Sequence, residues 1–184
     1  MKGSIAKAEE LVKEKGYYMP MQFDNPENPN IHELTTGPEI ISAMNGIGKS
    51  VDAFVAGVGT DGTLSGIGRA LKKENPNTKV YALEPSESPL LKDGKTGKHG
   101  IAAGFIPKNL DKDVYDGIVE VSTDEAMKIA CEVAKNEGFL PGISAGANIH
   151  GAIELAKKLG KGHAAVTVSP DGGDRYLSTA LFNE

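Results

Sequence analysis

An α/β fold, with a mostly parallel sheet covered by helices on both faces, is predicted by two observations in this 184-residue chain. Short apolar runs alternate along it with stretches of helical period. Two of those runs end in glycine-rich turns, Gly57-Val58-Gly59-Thr60-Asp61-Gly62-Thr63 and Ser169-Pro170-Asp171-Gly172-Gly173. In such sheets ligands bind outside the carboxyl ends of the strands, so both turns are candidate site segments and can border one pocket.

Each element has its own signal. Ser4 to Lys15 reads as a helix with Ile5, Ala8, Leu11 and Val12 on one stripe, stopped by Gly16. Tyr17 to Phe23 reads as a short strand that Pro20 pushes to a sheet edge. Asp24 to Asn30 is a run of turn formers, predicted irregular and a place where the chain crosses between domains. Thr35 or Thr36 caps a helix with Pro38 in its first turn and Ile40, Ile41 and Met44 facing inward, closed by Gly46 and Gly48. Val51 to Ala56 is a strand, and Leu64, Ile67 and Leu71 mark a helix that stops at Glu74 before Asn75-Pro76. Lys79 to Leu83 is the next strand, closed by Glu84-Pro85. Residues 86–116 show no period, and a loop that long in a compact domain is usually functional or mobile. Ile118 to Val121 is a strand. Ser122 and Glu125 have capping-box spacing before a helix whose apolar face includes Ala126, Ile129, Ala130, Val133 and Ala134 and which ends at Gly138. Cys131 lies beside that face and reads as a packing residue. Ser144 is placed to cap a helix carrying Ile149, Ala152, Ile153 and Ala156, stopped by Gly160, and Ala164 to Val168 is the last strand.

Composition narrows the function. Apolar residues make up 39% and charged residues 24%, ordinary for a globular protein, and the net charge of −5 argues against a nucleic-acid partner. No apolar run is long enough to span a membrane, and the first residues lack the apolar core of a signal peptide. One cysteine allows no internal disulfide and suits a reducing cytoplasm. His32, His99, His150 and His163 are isolated in sequence, without metal-ligand spacing.

The turn at Gly57 to Thr63 is the more informative of the two. A strand runs into it and a helix leaves it, so unpaired N–H groups gather at the positive end of a helix dipole, a setting for phosphate. Thr60 and Thr63 add hydroxyls. The same residues satisfy the G-x-G-x-x-G dinucleotide pattern, with Glu84 about where an acid would hold a ribose hydroxyl, so a nicotinamide-dependent oxidoreductase is a second reading. Pro85 and the lack of a hydride-transfer constellation weigh against it. Asp61 is at odds with both readings, because a carboxylate repels phosphate.

Taken together, Met1 to Glu10, Gln22 to Pro26, Thr35 to Ile40, Gly57 to Thr63, Glu84-Pro85, Ala103 to Pro107, Gly142 to Ala147 and Arg175 to Phe182 resemble the cysteine synthases (O-acetylserine sulfhydrylases), in family order over nearly the full chain. The resemblance implies a tryptophan-synthase-β-like, fold type II architecture and pyridoxal 5′-phosphate as cofactor. It implies O-acetyl-L-serine and sulfide as substrates, and a cytoplasmic homodimer. It places Gly59, Thr60, Asp61, Gly62 and Thr63 around the cofactor phosphate, and Ser169 or Asp171 beside the pyridine nitrogen. It divides the chain into residues 1–22, a remnant of an N-terminal domain, and 23–184, a phosphate-binding α/β domain. Arg175 to Phe182 favours the sulfhydrylase over cystathionine β-synthase, O-phosphoserine sulfhydrylase and threonine-type dehydratases.

There are departures from the family pattern. The family has glycine where this chain has Asp61, and the chain is a few residues shorter around His99 to Ala102. The family's aldimine lysine and its substrate-carboxylate loop match positions upstream of Met1, which also makes a non-catalytic fragment a reading. Lys95 and Lys98 lie in the irregular loop, with nothing in the sequence to hold them as a base. The 184-residue chain alone is therefore expected to make no cysteine from O-acetylserine and sulfide. A product assay together with borohydride trapping checks this, and one stoichiometric pyridoxyl-lysine would contradict it.

Overall fold

The computed structural model describes residues 1–95 and 103–182, so the expectations that fall on Lys98 and on His99 to Ala102 lie outside the described residues. Helix α1 (Lys2–Lys15) ends where Gly16 takes a left-handed conformation. Helices α2 (Glu27–Ile31) and α3 (Gly37–Gly46) are joined without a break by a π-turn, His32–Thr36. Strand β1 (Ala53–Gly57) leads to α4 (Gly62–Glu74), β2 (Lys79–Pro85) and a single turn, α5 (Leu90–Asp93). Strand β3 (Gly117–Val121) is followed by α6 (Thr123–Glu137), α7 (Ile143–Leu159) and β4 (Ala165–Thr167), with a 3₁₀ turn at Gly173–Tyr176.

Among the described residues four strands form one parallel sheet, in the order β3-β2-β1-β4. Alternation along β1 sends its side chains to two cores. Phe54 and Ala56 meet Leu64, Ile67 and Leu71 of α4, with Ile40, Ile41 and Met44 of α3 packed behind. Ala53 and Val55 meet Ala126 of α6 and Ala147 and Leu155 of α7 on the opposite face. The chain steps from β1 to β2 to β3 in one direction and returns to β4 on the other side of β1. The strand order therefore reverses between β1 and β4, where an open α/β sheet has its crevice.

Four local expectations are corrected. Tyr17 to Phe23 forms no strand: Pro20 has no N–H to give, Met21 is left-handed (φ 57°), and among the described residues no strand runs beside them. Asp24 to Asn30 is not wholly irregular, because α2 starts inside it. The Asn25 Oδ1 accepts from the Glu27 amide, and Pro29 falls in the first turn, where a missing N–H costs nothing. Thr35 and Thr36 do not cap α3. They sit inside the π-turn, where the Gly37 amide donates to His32 and the surplus residue makes room for the ring of Pro38. Ser144 does not cap α7, whose buried side carries Asn148, Gly151 and Leu155, while Ile153 and Ala156 are exposed.

Several expectations hold. The Ser122–Glu125 capping box is formed in both directions, and Gly138 closes α6. The Cys131 thiol donates to the Leu181 carbonyl at 2.9 Å, a packing role. The α1 stripe is half-buried beside a cavity of about 620 Å³ lined also by residues 19–24, Phe105 and Ile106.

Helices α6 and α7 approach so closely that a Cβ on Gly146 would overlap the Ala126 carbonyl oxygen. Gly146→Ala is expected to cost about 1–3 kcal/mol, the usual range for overpacking. Gly3→Ala, placed in open space, should be neutral or slightly stabilising. Denaturant melts of the two variants compare them.

Candidate functional site

Beyond the third register pair of β1 and β4, Val55 with Thr167, the two strands part. One buried side chain spans the gap. The Gly57 amide donates to Asn148 Oδ1 at 2.9 Å, and Asn148 Nδ2 donates to the Val168 carbonyl at 2.9 Å. Above this clasp lies a cavity of about 190 Å³. Gly57, Gly59, Thr60, Asp61 and Thr63 line it from the first glycine-rich turn, Val168 and Pro170 from the second, and Ser144 and Asn148 from α7. Both strand exits thus border one pocket. Whole small-molecule sites run to roughly 300–1,000 Å³, so this cavity takes one end of a ligand.

Its chemistry is that of an anion cradle. The amides of Gly62, Thr63 and Leu64 head α4 and find no acceptor among the described residues. Thr60 Oγ1 accepts from Asn28 Nδ2 at 2.9 Å, which leaves its own proton to donate. The same Asn28 nitrogen donates to the Gln22 carbonyl at 2.8 Å, tying the turn to the chain before α2. Gly62 is needed for this approach, since a Cβ there would overlap Asn28 Oδ1.

Asp61 is the anomaly. It takes the left-handed conformation (φ 67°), which Asp tolerates better than most residues, and it is 2% exposed. Its carboxyl caps no helix amide. It reaches down α4 instead, where Oδ2 accepts from the Ser65 hydroxyl and Oδ1 has no partner among the described residues. Ser65 Oγ in turn accepts from the Asp111 amide at 3.0 Å. Burial pushes the Asp61 carboxyl up to about 7, against the Ser65 hydrogen bond and the Asp111 amide.

The second exit is arranged differently. The Asp171 carboxylate accepts from the Ser144 amide at 3.2 Å, the Ala145 amide at 2.7 Å and the Tyr176 hydroxyl at 2.7 Å. It caps α7 from 27 residues away, and the hydrogen bond it accepts from the Tyr176 hydroxyl pushes that phenol up to about 12. Ser169 is exposed, next to the lining residue Val168. Glu84, the candidate ribose ligand, is buried with its carboxylate on the Leu91 and Lys92 amides at 2.6 and 3.0 Å. With both oxygens engaged it serves α5, which removes the acid that the nicotinamide reading required. Among the described residues no lysine lines the cavity, and Lys95 pairs with Asp93 at 3.5 Å. Among the described residues no cluster of His, Cys, Asp and Glu could hold a metal, and no helix is long and apolar enough to cross a membrane.

Residues 1–171 match the family model described as pyridoxal-phosphate dependent enzyme. The chain belongs to that family. A phosphate-ended cofactor fits the free amides and hydroxyls of the cradle. Over its whole length the chain is 55% identical to a cysteine synthase of Staphylococcus aureus (strain Mu50) and 46% identical to a probable cysteine synthase of Bacillus subtilis. It spans about three-fifths of each relative, 59% and 60%. Among solved structures, a hydrogen sulfide-producing enzyme from Fusobacterium nucleatum superposes with a TM-score of 0.93 at 43% identity, covering 99% of this chain and 56% of that one. A cysteine synthase from Entamoeba histolytica gives 0.91 at 35%, covering 100% and 55%. These likenesses support the fold type II architecture, and family membership overturns the oxidoreductase reading.

The Asp61 carboxyl leaves a mark on stability. Its proton is held in the folded state to a higher pH than in the unfolded chain. The stabilisation is thus complete below the ordinary carboxylate range and is lost as pH rises toward about 7. Urea unfolding of the native chain should lose up to about 4 kcal/mol between pH 4 and 7 relative to Asp61→Asn, which keeps the shape but does not titrate.

Proposed function

We propose that this chain is the cofactor-phosphate-binding part of a cysteine synthase, which converts O-acetyl-L-serine and sulfide to L-cysteine and acetate. The observation that carries the reading is the anion cradle at the head of α4, in a chain 55% identical throughout to a cysteine synthase. The amides of Gly62, Thr63 and Leu64 and the hydroxyls of Thr60 and Thr63 hold the phosphate of pyridoxal 5′-phosphate, with Gly59 and Asp61 completing the wall. Asn148 fixes the width between the two strand exits, and so the tilt of whatever is seated there. Ser169, whose hydroxyl makes no hydrogen bond among the described residues, faces the pyridine side. Asp171, its oxygens already engaged, acts by holding α7 in place. When bound, pyridoxal phosphate supplies an electron sink for bonds at the amino-acid α-carbon. The base that moves the α-proton and the site for the substrate carboxylate belong to the part of the relatives this chain does not cover. A second copy of the complete enzyme is the partner and the cytoplasm the location, with residues 1–22 belonging to the other domain and 23–184 to this one.

Two measurements test the reading. In titrations of the 184-residue chain, pyridoxal 5′-phosphate should bind at least about tenfold more tightly than pyridoxal, which lacks the anchor, a difference worth about 1.4 kcal/mol. A chimera joining this chain to the uncovered portion of the Staphylococcus aureus relative should form cysteine from O-acetylserine and sulfide. Equal binding of the two vitamers, or a folded chimera that accepts homocysteine and not sulfide, would overturn it.

A further inference from the structure

Asp61 brings an acid to the head of α4, where the free amides of Gly62, Thr63 and Leu64 invite a dianion. Among the described residues nothing opposite neutralises it. On α4 itself the nearest cation is Arg69, whose Nε is held by Asp111 Oδ2 at 2.8 Å. From the segment before β3, Asp111 and the Tyr115 phenol face it, one an anion and the other neutral, its titration pushed higher by burial and by Asp61. From α2 comes Asn28, which is uncharged, and among the described residues no histidine or lysine lines the cavity. Ser65 gives Oδ2 a hydrogen bond, and Oδ1 is buried without a partner among the described residues. An ionised Asp61 would share a low-dielectric pocket with a phosphate and have no countercharge of its own.

We propose, resting on the phosphate reading of the cradle, that the phosphate is taken up together with a proton held on the Asp61 carboxyl, so that the neutral acid admits the dianion and the ionised carboxylate expels it. The balance is simple: the carboxylate gains one O–H bond, the proton comes from solvent, and the ligand stays a dianion. Where the free carboxyl is already protonated, none is taken up. Burial first, with the Asp111 charge adding to it, holds this carboxyl far above the ordinary range, which places the change near neutrality. Asp61 is thereby the residue that makes cofactor retention depend on pH, a dependence that glycine at this position would lack.

Inorganic sulfate is the probe, because it remains a dianion across the range. Isothermal titration of the full chain with sulfate, and separately with pyridoxal 5′-phosphate, runs from pH 6 to 9 at one ionic strength, in two buffers of different ionisation enthalpy. The native chain should lose affinity for sulfate by about tenfold per pH unit once above the carboxyl's titration, with up to one proton taken up per ion. Asp61→Asn, which suits the left-handed backbone, should give a flat profile and no proton uptake, and Asp61→Gly should also be flat. Circular dichroism melts confirm that both variants fold. A flat native profile, or the same slope in Asp61→Asn, overturns the proposal and leaves the phosphate reading standing. No binding of either probe by any variant at any pH removes the phosphate reading and the proposal together.

Discussion

Asn148 is 3% exposed and gives both ends of its amide to main chains that the sheet has stopped pairing. At the reversal of strand order β1 and β4 must part, and each would otherwise leave a half-buried polar group without a partner: the Gly57 N–H and the Val168 C=O. A lost partner of this kind costs about 1–3 kcal/mol. The side chain satisfies both and sets the gap between the two glycine-rich exits. The cradle depends on that gap, because Gly57 to Thr63 and Val168 to Pro170 become walls of one cavity only if the strands diverge by a fixed amount. The Thr167 hydroxyl, donating to the Val55 carbonyl at 2.6 Å, holds the last paired rung just below.

The parts of this molecule that were legible in its sequence are those whose causes are local. A strand followed by Gly57 to Thr63 and an amphipathic helix is written in consecutive residues, and so is the Ser122–Glu125 capping box. The π-turn was not legible, because it is a response to Pro38 that leaves no composition of its own. The start of α2 was hidden by the turn-forming residues Asp24 to Asn30, which as a helix N-terminus are well suited. In the site, the wall supplied by the first turn was readable, and Asn148 was missed since its partners lie 91 and 20 residues away. A signal did exist: an amide in the small, apolar run Ala145-Gly146-Ala147-Asn148-Ile149 has to find partners if buried. Asp171 attracted attention for the right turn, but its carboxylate belongs to the head of α7, a role only the fold reveals.

Three acids close to strand exits illustrate how hydrogen-bond donors assign roles. Glu84 and Asp171 are anions surrounded by main-chain N–H donors, which disperse their charge and make them structural. Asp61 has the Ser65 hydroxyl and the Asp111 amide against its deep burial, and its Oδ1 has no partner among the described residues, so its charge is the poorly solvated one. Three carboxyls close to strand exits thus differ through the count of donors each receives, and sequence position alone does not separate them.

The π-turn at His32–Thr36 bears on how this segment can vary among related chains. It carries one residue beyond what α-helical spacing needs, and the residues before and after it are both committed: Asn28 to the glycine-rich turn at Thr60, and Ile40, Ile41 and Met44 to the sheet. Losing a single residue there would turn one side against the other by about 100°. Leu34 is 73% exposed, so its side chain is free to change. In this stretch, then, identity is permissive while length is not, and an insertion or deletion would be purged where a substitution would drift.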